Sequence, residues 1–272
     1  MPIQSFSSRQ RREEKFHDDW AASVGERELF FRQSFESPTA VENQCVLSSL
    51  GEISGKRILD LGCGLGDATI YFAKRGASVD AVDISGKMIA LVKRFADREK
   101  IIEKISAKKM TAENLSYPDE TFDFVYGNGI LHHVDFKKAA GEVQRVLKRG
   151  GRAYFVEPLR YNPVINIYRS IAKEVRTIDE KPLTFDDIAC FGDFFRKYHH
   201  KEFHLFTQLI FLWFFFVKGS NPNKERYWKK ILLEGDKYRF VFNFLYKMDS
   251  IFLKFIPVAG RFCWNTVISV QK

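Results

Sequence analysis

The sequence predicts an α/β fold: a three-layer, doubly wound, mostly parallel sheet of seven strands with the last strand antiparallel, and a helical cap inserted late in the chain. Short apolar runs alternate with helical patterns between residues 56 and 157, which is typical of parallel strands joined by helices. The first run ends in a turn with three glycines, Gly62, Gly64 and Gly66, before a helical pattern. Together, these observations predict a ligand-binding turn at the start of the sheet.

The predicted elements follow one another in a regular order. Phe16 and Trp20 are four residues apart in a charged stretch, which indicates a helix over 10–24 with both aromatic rings on one face. A second helix is expected over 39–50. The remaining elements are predicted as strands over 56–61, 78–83, 102–108, 122–126, 152–157, 201–206 and 262–270, and as helices over 68–75, 87–100 and 137–147.

The chain is expected to form one domain with three consecutive parts. Residues 1–50 supply helices that cover the cofactor site, residues 51–160 form the cofactor-binding core, and residues 161–272 complete the sheet and carry the cap for substrate. The third part is rich in aromatic residues, with 15 of the 27 phenylalanines between Phe191 and Phe262. Its apolar run 209–217 is much shorter than the about 20 residues of a membrane-spanning helix. No transmembrane segment is therefore expected.

The formal net charge of +9 is spread over several stretches, and none of them is an uninterrupted basic tract. Solvated faces account for such a distribution, and no nucleic-acid partner is expected. Alternatively, the aromatic cap and its basic residues would suit an anionic membrane surface or a lipid-like acceptor. The N-terminus has no apolar run after its arginines, so a cytoplasmic protein is expected, with peripheral membrane contact as the alternative. The basic residues concerned are Lys218, Lys224, Arg226, Lys229 and Lys230.

The chemistry of the glycine turn favours S-adenosylmethionine over a dinucleotide. Asp67 occupies the position where a dinucleotide fingerprint starting at Gly62 requires Gly or Ala. Asp60, at the mouth of the turn, would repel a pyrophosphate but attract ammonium and sulfonium groups. Asp83, at the end of the second strand, can accept hydrogen bonds from both hydroxyls of a ribose. Cys63 is expected to be a small side chain whose backbone amide faces the ligand.

Segments 58–66, 79–85 and 112–125 resemble successive motifs of the class I S-adenosylmethionine-dependent methyltransferases. The segment that begins at Ala112 is most similar to the ubiquinone/menaquinone-biosynthesis and related small-molecule methyltransferases (methyltransferase type 11). The resemblance covers roughly positions 40 to 160. One departure is visible, because Thr111 stands where that family commonly has Asp.

The resemblance implies roles for residues beyond the glycine turn. Thr111, Ala112 and Glu113 would approach the adenine, and Asn128 with Gly129 would line the methionine end of the cofactor. The segment after the fourth strand lacks the Asn/Asp-Pro-Pro-aromatic pattern of amino-methylating DNA and glutamine enzymes, which disfavours a nucleic-acid base as acceptor. The expected cofactor-binding set is Asp60, Gly62, Cys63, Gly64, Gly66, Asp83, Ile84, Met88, Thr111, Ala112, Glu113, Asn128 and Gly129.

His132 and His133 are the catalytic candidates, because a hydroxyl acceptor benefits from a general base and the ordinary pKa of histidine lies near working pH. Alternatively, one of them caps the following helix and the other packs, since adjacent side chains are not expected to face one pocket. Phe16 and Trp20 are candidates for a lid, because the N-terminal helix of resembling enzymes closes over the cofactor; packing in the core is the alternative. Glu157 either contacts substrate or only ends its strand.

The predicted function is methyl transfer from S-adenosylmethionine to a small, hydrophobic acceptor at oxygen or carbon, with S-adenosylhomocysteine as product. No metal is expected, because the i, i+4 histidine pair His200 and His204, which follows His199, is not accompanied by a carboxylate pattern. Two alternatives remain: a non-catalytic S-adenosylmethionine-binding partner subunit, and a nicotinamide-dependent oxidoreductase. The spacing of the glycine turn and Asp60 oppose the second.

Overall fold

The computed structural model describes residues 6–24, 29–172, 176–177, 179–219, 221, 223 and 227–272. Two of the basic residues singled out near the cap, Lys224 and Arg226, lie outside these ranges. The other three, Lys218, Lys229 and Lys230, lie within them.

A single sheet is formed by seven strands of the described chain: β1 (Arg57–Leu61), β2 (Ser78–Asp83), β3 (Ile105–Lys109), β4 (Phe122–Asn128), β5 (Leu147–Pro158), β6 (Lys197–Phe203) and β7 (Asn265–Gln271). Their spatial order is β3-β2-β1-β4-β5-β7-β6. The neighbours from β3 to β5 pair in parallel, and β7 runs antiparallel to both β5 and β6. The predicted doubly wound sheet with an antiparallel last strand is confirmed.

Helices pack on both faces of this sheet. In the described part of the chain, three α-helices stand between β6 and β7, where the sequence predicts the inserted cap, and we call these three the cap. The helices before β6 are α1 (Ser8–Val24), α2 (Phe31–Glu36), α3 (Val41–Leu50), α4 (Asp67–Lys74), α5 (Gly86–Arg98), α6 (Phe136–Val146), α7 (Pro163–Ile171) and α8 (Phe185–Gly192); the cap consists of α9 (Leu209–Phe216), α10 (Tyr227–Leu233) and α11 (Gly235–Phe255).

Neighbouring residues of β1 bury their side chains on opposite faces of the sheet, which divides the core into two layers. Ile58 belongs to a buried cluster with Phe72 of α4 and Phe95 of α5. Leu59 belongs to a second cluster with Val143 of α6. Because side chains alternate along a strand, an apolar run such as that of β1 requires helices on both faces. This is why the strand reads as continuously apolar in the sequence.

Two predicted strands begin later than the sequence suggests, because short 3₁₀ helices precede them. The predicted strand over 102–108 starts with the 3₁₀ helix Ile102–Lys104, and β3 follows it. The predicted strand over 262–270 likewise begins beyond the 3₁₀ helix Pro257–Phe262. Apolar residues occur in both helices, so composition alone does not mark the boundary.

Strand β6 occupies Lys197–Phe203, so it begins and ends several residues earlier than the predicted strand over 201–206. Its extent is set by pairing with β7, in which His199 lies opposite Ser269. The first residues of β6 are exposed at the edge of the sheet, so they carry no apolar pattern. His200 therefore lies on a strand and not on a helix, which removes the helical basis for pairing it with a later histidine.

The cap packs on the rest of the molecule through aromatic residues. Phe214 of α9 is fully buried, and its ring lies 5.7 Å from that of Tyr227 and 5.5 Å from that of Tyr238. Helix α11 buries Phe242 but leaves Phe240, two residues earlier, 86% exposed. No helix of the described residues combines the length and the apolar composition needed to cross a bilayer.

Candidate active site

A cavity of about 450 Å³ lies beyond the carboxyl ends of the central strands. Parallel sheets bind ligands at this edge, where the strand order reverses between β1 and β4. Most of the cofactor-binding residues expected from the sequence line this cavity: Asp60, Gly62, Cys63, Gly64, Asp83, Ile84, Thr111, Ala112, Glu113, Asn128 and Gly129.

Gly66 and Met88 do not line the cavity. Gly66 has a φ of 88° and precedes α4, and a Cβ at this position would lie 2.9 Å from Val92 of α5. Its role is close packing of two helices in a left-handed conformation. The Met88 side chain is fully buried, and its backbone N–H donates to Ser85, which caps α5. Both residues act on the site only through the backbone that they support.

The backbone amides of the glycine turn are directed into the sheet at two positions. The N–H groups of Gly62 and Cys63 donate to the carbonyl of Val82, at 2.9 and 3.0 Å. The prediction that the Cys63 amide faces the ligand is therefore wrong, because this bond ties the turn to β2. Burial raises the pKa of the Cys63 thiol well above its usual range, with Asp83 and Asp60 adding to the effect, so the thiol stays neutral.

Asp60 is a buried carboxyl group in the cavity wall. It is 2% exposed, and its Oδ2 accepts a hydrogen bond from the Thr69 hydroxyl at 2.5 Å. Burial raises its pKa to about 7, and the negative charge of Asp83 contributes in the same direction. A cation placed beside Asp60 would favour the carboxylate and lower this pKa. The position therefore favours a positively charged ligand.

Asp83 shapes the same wall from the end of β2. Its Oδ1 accepts from the Ser85 N–H at 2.8 Å, and its Oδ2 accepts from the Gly64 N–H at 2.9 Å. Burial raises the pKa of Asp83, although the positive charge of His17 and the two backbone donors oppose the shift. Since a carboxylate oxygen accepts more than one hydrogen bond, each oxygen retains capacity for a ligand hydroxyl.

Two polar side chains follow the end of β3: a hydroxyl for which the described residues offer no hydrogen-bond partner, and a carboxylate with several such partners. Thr111 Oγ1 is buried and has no hydrogen-bond partner among the residues that the structure describes. Glu113 accepts from Arg9 at 2.5 Å, from Gln10 at 3.3 Å and from the backbone of Asp135 at 3.1 Å. The Glu113 carboxylate is thus used to hold α1, whereas the Thr111 hydroxyl is available to a ligand.

Helix α1 lies over the cavity, and both lid candidates, Phe16 and Trp20, line it. The helix is held by polar contacts to several separate parts of the chain. Arg9 donates to the carbonyl of His133 at 2.7 Å, and Asp18 accepts from the Ser85 hydroxyl at 2.5 Å. Further ion pairs join Glu14 to Lys109 and Arg12 to Asp179.

His132 and His133 both line the cavity, with ring centroids 4.1 Å apart. The expectation that adjacent side chains would not face one pocket is wrong here, because Leu131–His133 forms a 3₁₀ helix rather than a strand. Glu157 is fully buried, does not line the cavity, and accepts from His132 Nδ1 at 2.7 Å. Its other oxygen accepts from the backbone N–H groups of Ile130 and Leu131. Glu157 therefore orients His132 instead of contacting a ligand.

The two histidines have opposite pKa shifts. Burial lowers the pKa of His132, the charge of His133 lowers it further, and Glu157 opposes the shift. Burial also lowers the pKa of His133, but the carboxylates of Glu13 and Glu180 outweigh it, so the net shift is upward. Glu13 Oε2 lies 3.2 Å from His133 Nδ1. At neutral pH, His132 is thus neutral with Nε2 as a proton acceptor, and His133 is paired with Glu13.

Several lining residues have no signal in the sequence. Glu42 Oε1 lies 2.7 Å from His204 Nε2 across 162 residues of chain, and His204 has a φ of 69° in the left-handed region. Asn43 accepts from the Tyr126 hydroxyl at 2.8 Å. Each of these contacts joins residues that only the folded chain brings together. Other lining residues of this kind are Tyr168, Arg169, Arg176, Glu180, Phe211, Phe242 and Trp264.

Among the residues that the structure describes, two overlapping groups could offer metal ligands: Glu13, His17 and His133, and His132, His133 and Glu180. Within each group, the ligand atoms lie within 4.8 Å of one another. His133 belongs to both groups, and its ion pair with Glu13 already explains the first of them.

A sheet of this order, with a cavity lined by acidic residues beyond the strand ends, is the class I S-adenosylmethionine-dependent methyltransferase fold. Residues 59–155 match the family model described as a methyltransferase domain (Methyltransf_11).

The related curated proteins are methyltransferases by name. The chain is 36% identical over 102 residues to the uncharacterized methyltransferase YcgJ of Bacillus subtilis, a match that covers 37% of this chain and 40% of that protein. It is 32% identical over 125 residues to the ubiquinone/menaquinone biosynthesis C-methyltransferase UbiE of Zymomonas mobilis, which covers 45% of this chain and 51% of that protein. The chain thus spans about half or less of the length of these relatives.

A solved structure with the same fold extends over the whole chain. The geranyl diphosphate C-methyltransferase from Streptomyces coelicolor, determined with Mg²⁺, geranyl diphosphate and S-adenosyl-L-homocysteine, matches with a TM-score of 0.57. The alignment covers 99% of both chains at 14% sequence identity. At this identity, the likeness establishes the fold and leaves the substrate open.

Proposed function

We propose that this chain transfers the methyl group of S-adenosylmethionine to a small, hydrophobic acceptor. The observation that carries the proposal is one continuous cavity with two chemically different parts. Asp60, Asp83 and Thr111 line it near the glycine turn, and aromatic residues line it near the cap. We call the second part the acceptor chamber and define it by Tyr168, Phe211, Ile231, Phe242 and Trp264.

The cofactor would be held by groups that are left available in the cavity wall. The two oxygens of Asp83 would accept from the ribose hydroxyls, and Thr111 Oγ1 would bond the adenine edge. Asp60 would face the positively charged methionine end, because its raised pKa marks a site where a cation is favourable. Gly62 and Gly129 lie beside this path with positive φ angles, which lets the backbone approach the ligand closely.

Helix α1 would act as the lid over the bound cofactor, with Phe16 and Trp20 excluding water. In this arrangement, residues 1–50 cover the site, residues 51–160 hold the cofactor, and residues 161–272 enclose the acceptor. The described contacts support this division, because α1 is joined to the core through Glu113 and Ser85. Tyr168 of α7 likewise packs on Tyr227 of the cap, with ring centroids 5.4 Å apart.

The chemistry requires alignment more than activation, since the sulfonium supplies the electrophile when the cofactor is bound. For a hydroxyl acceptor, His132 Nε2 would take the proton while Glu157 holds the Nδ1–H and fixes the tautomer. His133 would remain with Glu13 and hold the lid. For a carbon acceptor that forms a cation on methylation, the same His132 would remove the proton from the methylated carbon.

The outer face of α11 suits contact with an anionic membrane surface, which would supply a hydrophobic acceptor. Exposed apolar side chains recur along it at helical spacing, and Lys247 and Lys254 stand exposed beside them. Such a face partitions into the headgroup region of a bilayer without crossing it. The apolar stripe consists of Phe240, Phe244, Met248, Ile251 and Phe255.

The decisive experiment is incubation of the purified protein with methyl-labelled S-adenosylmethionine and separated lipid, small-molecule, protein and nucleic-acid fractions of a lysate. Label is expected in the lipid or small-molecule fraction, and Asp83→Ala should abolish it. Label in protein or nucleic acid would contradict the acceptor class. Cofactor binding without any labelled product would favour the non-catalytic partner subunit, and oxidation of a reduced nicotinamide would favour the oxidoreductase.

The membrane contact is tested by flotation with vesicles of phosphatidylcholine, with and without phosphatidylglycerol. We expect the protein to float with the anionic vesicles, and the double substitution Phe240→Ser with Phe244→Ser to remain at the bottom. Asn243→Ser, at an exposed polar position of the same helix, is the matched control and should behave like the wild type. Flotation of the double variant at the wild-type level would remove α11 from the contact.

A further inference from the structure

Arg169 of α7 lines the cavity, and the described residues accept only some of the hydrogen bonds that its guanidinium group can donate. Its Nη1 donates to the carbonyl of Leu159 at 3.1 Å and to Asn166 Oδ1 at 2.9 Å. Its Nε and Nη2 are buried and have no hydrogen-bond partner among the described residues. Structural contacts thus account for one nitrogen and leave two without an acceptor.

The two unpartnered nitrogens form one edge of the guanidinium. Nε–H and an N–H of Nη2 point in parallel, which is the fork that binds both oxygens of a carboxylate or phosphate. Leaving such donors buried without an acceptor is unfavourable, because burial removes their hydrogen bonds to water and no other hydrogen bond replaces them. We therefore expect a ligand in the cavity to supply the hydrogen-bond acceptor for this edge of Arg169.

The surroundings of Arg169 are electropositive. Its pKa is lowered to about 10, mainly by burial and also by the nearby charge of Arg176, while Glu180 opposes the shift. Arg169 nevertheless stays protonated at neutral pH. Arg176 also lines the cavity and is paired with Glu180, which lies 4.0 Å from His133 Nε2. Among the described residues, Glu180 pairs with Arg176, and no carboxylate pairs with Arg169.

We propose that the methyl acceptor carries an anionic group, a carboxylate or a phosphate, which binds the Nε and Nη2 edge of Arg169. This inference rests on the proposed function, since it assigns the head group of the acceptor in the same cavity. The apolar body of the acceptor then lies in the acceptor chamber, whose residue Tyr168 is the chain neighbour of Arg169.

The test compares head groups on a constant eight-carbon chain. Octyl phosphate, octanoate, 1-octanol and inorganic phosphate are titrated calorimetrically into the purified protein, with and without S-adenosylhomocysteine. We expect at least one of the two anionic amphiphiles to bind about tenfold or more tightly than 1-octanol, because a charged bidentate contact is worth at least one decade of affinity. Equal affinity of all three amphiphiles would overturn the proposal. Inorganic phosphate binding as tightly as octyl phosphate would overturn the amphiphilic acceptor.

Variants locate the contact. Arg169→Gln should remove the advantage of the anionic head group and leave the affinity for 1-octanol unchanged. Arg160→Gln, at an exposed arginine near the start of the same segment, is the matched control and should keep the advantage. If thermal unfolding shows that Arg169→Gln does not fold, Arg169→Lys replaces it and should bind the anion more weakly than wild type, since lysine lacks the fork. An advantage that survives in the folded variant would remove Arg169 from the site.

The two proposals fail in different ways. Binding of octyl phosphate through Arg169 without binding of S-adenosylhomocysteine would keep the anion site and reject the methyltransferase. Binding of S-adenosylhomocysteine without a preference for the anionic amphiphiles would keep the cofactor site and reject the anionic acceptor.

Discussion

Substitution of Asp83 tests the cofactor site most directly. Its two carboxylate oxygens each accept one backbone hydrogen bond, from Ser85 and from Gly64. The side chain is 7% exposed and faces the cavity. Asp83→Ala removes both acceptors that a ribose diol would use and also releases the two backbone donors. Asp83→Asn retains one acceptor oxygen and nearly the same shape.

The size of the effect follows from the number of charged hydrogen bonds. Each bond to a charged group contributes about 1.5–3 kcal/mol, so two would give about 3–6 kcal/mol if they were additive. Neighbouring contacts share their effects, and we therefore expect the lower end of this range for Asp83→Ala. That corresponds to at least a ~100-fold weaker Kd for S-adenosylmethionine. Asp83→Asn should lose about tenfold, since one of the two acceptors remains.

Calorimetric titration with S-adenosylmethionine provides the assay, and thermal unfolding shows whether each variant folds. Asp80→Asn is the control, because Asp80 lies on the same strand and is 4% exposed but bonds Arg57 at 2.9 Å and does not line the cavity. Its Kd should equal that of the wild type. An Asp83→Ala protein that is folded and binds within threefold of wild type would refute the assignment of the ribose site.

Three further predictions concern the same wall and the lid. Asp60→Asn should raise the free energy of unfolding at pH 8 without cofactor, measured with urea. The reason is that the pKa of Asp60 is raised to about 7, so the wild type loses stability as pH rises from about 4 to 7. The same substitution should weaken cofactor binding. Thr111→Val should leave the unfolding temperature unchanged or higher, because the hydroxyl has no partner among the described residues, and should weaken cofactor binding about fivefold by calorimetry. The pKa of His133 is raised, so the stabilisation from its pair with Glu13 is complete below about pH 6.5 and is lost as pH rises through the higher folded value. Trp20 fluorescence should report release of α1 over that interval, and His133→Gln should abolish the transition.

Local sequence determined the central part of the fold and of the site. The alternation from β1 to β5, the glycine turn and the two acidic strand ends lie within about a hundred residues, and each is encoded by its immediate neighbours. The position of Asp83 after a buried run is one such case, because a strand end in a parallel sheet fixes where the next side chain points. The sequence predicts the edge strand β6 at the wrong residues for the opposite reason. Its side chains are mostly exposed and carry no apolar pattern, so pairing with β7 sets its bounds.

The acceptor side could not be derived in this way, because its contacts join distant segments. Glu42 and His204 meet across 162 residues, and neither position carries a local pattern. The sequence does not decide between two roles for Glu157, since only the structure shows that both of its oxygens are occupied by His132 and two backbone donors. Arg169 is one of many arginines in the sequence, and only the missing partners of its Nε and Nη2 distinguish it.

The two parts of the cavity differ in their charged residues, and this difference bears on turnover. Asp60 and Asp83 form an acidic end beside the glycine turn, whereas Arg169 is the chain neighbour of Tyr168 in the acceptor chamber. A cofactor with a sulfonium and an acceptor with an anionic group would each be attracted to the opposite charge, which sets their orientation before reaction. Methyl transfer turns the sulfonium into an uncharged thioether, so the acidic end loses a partner at the moment of reaction. The same charges that orient the substrates would then hold S-adenosylhomocysteine less tightly than the cofactor and favour its release.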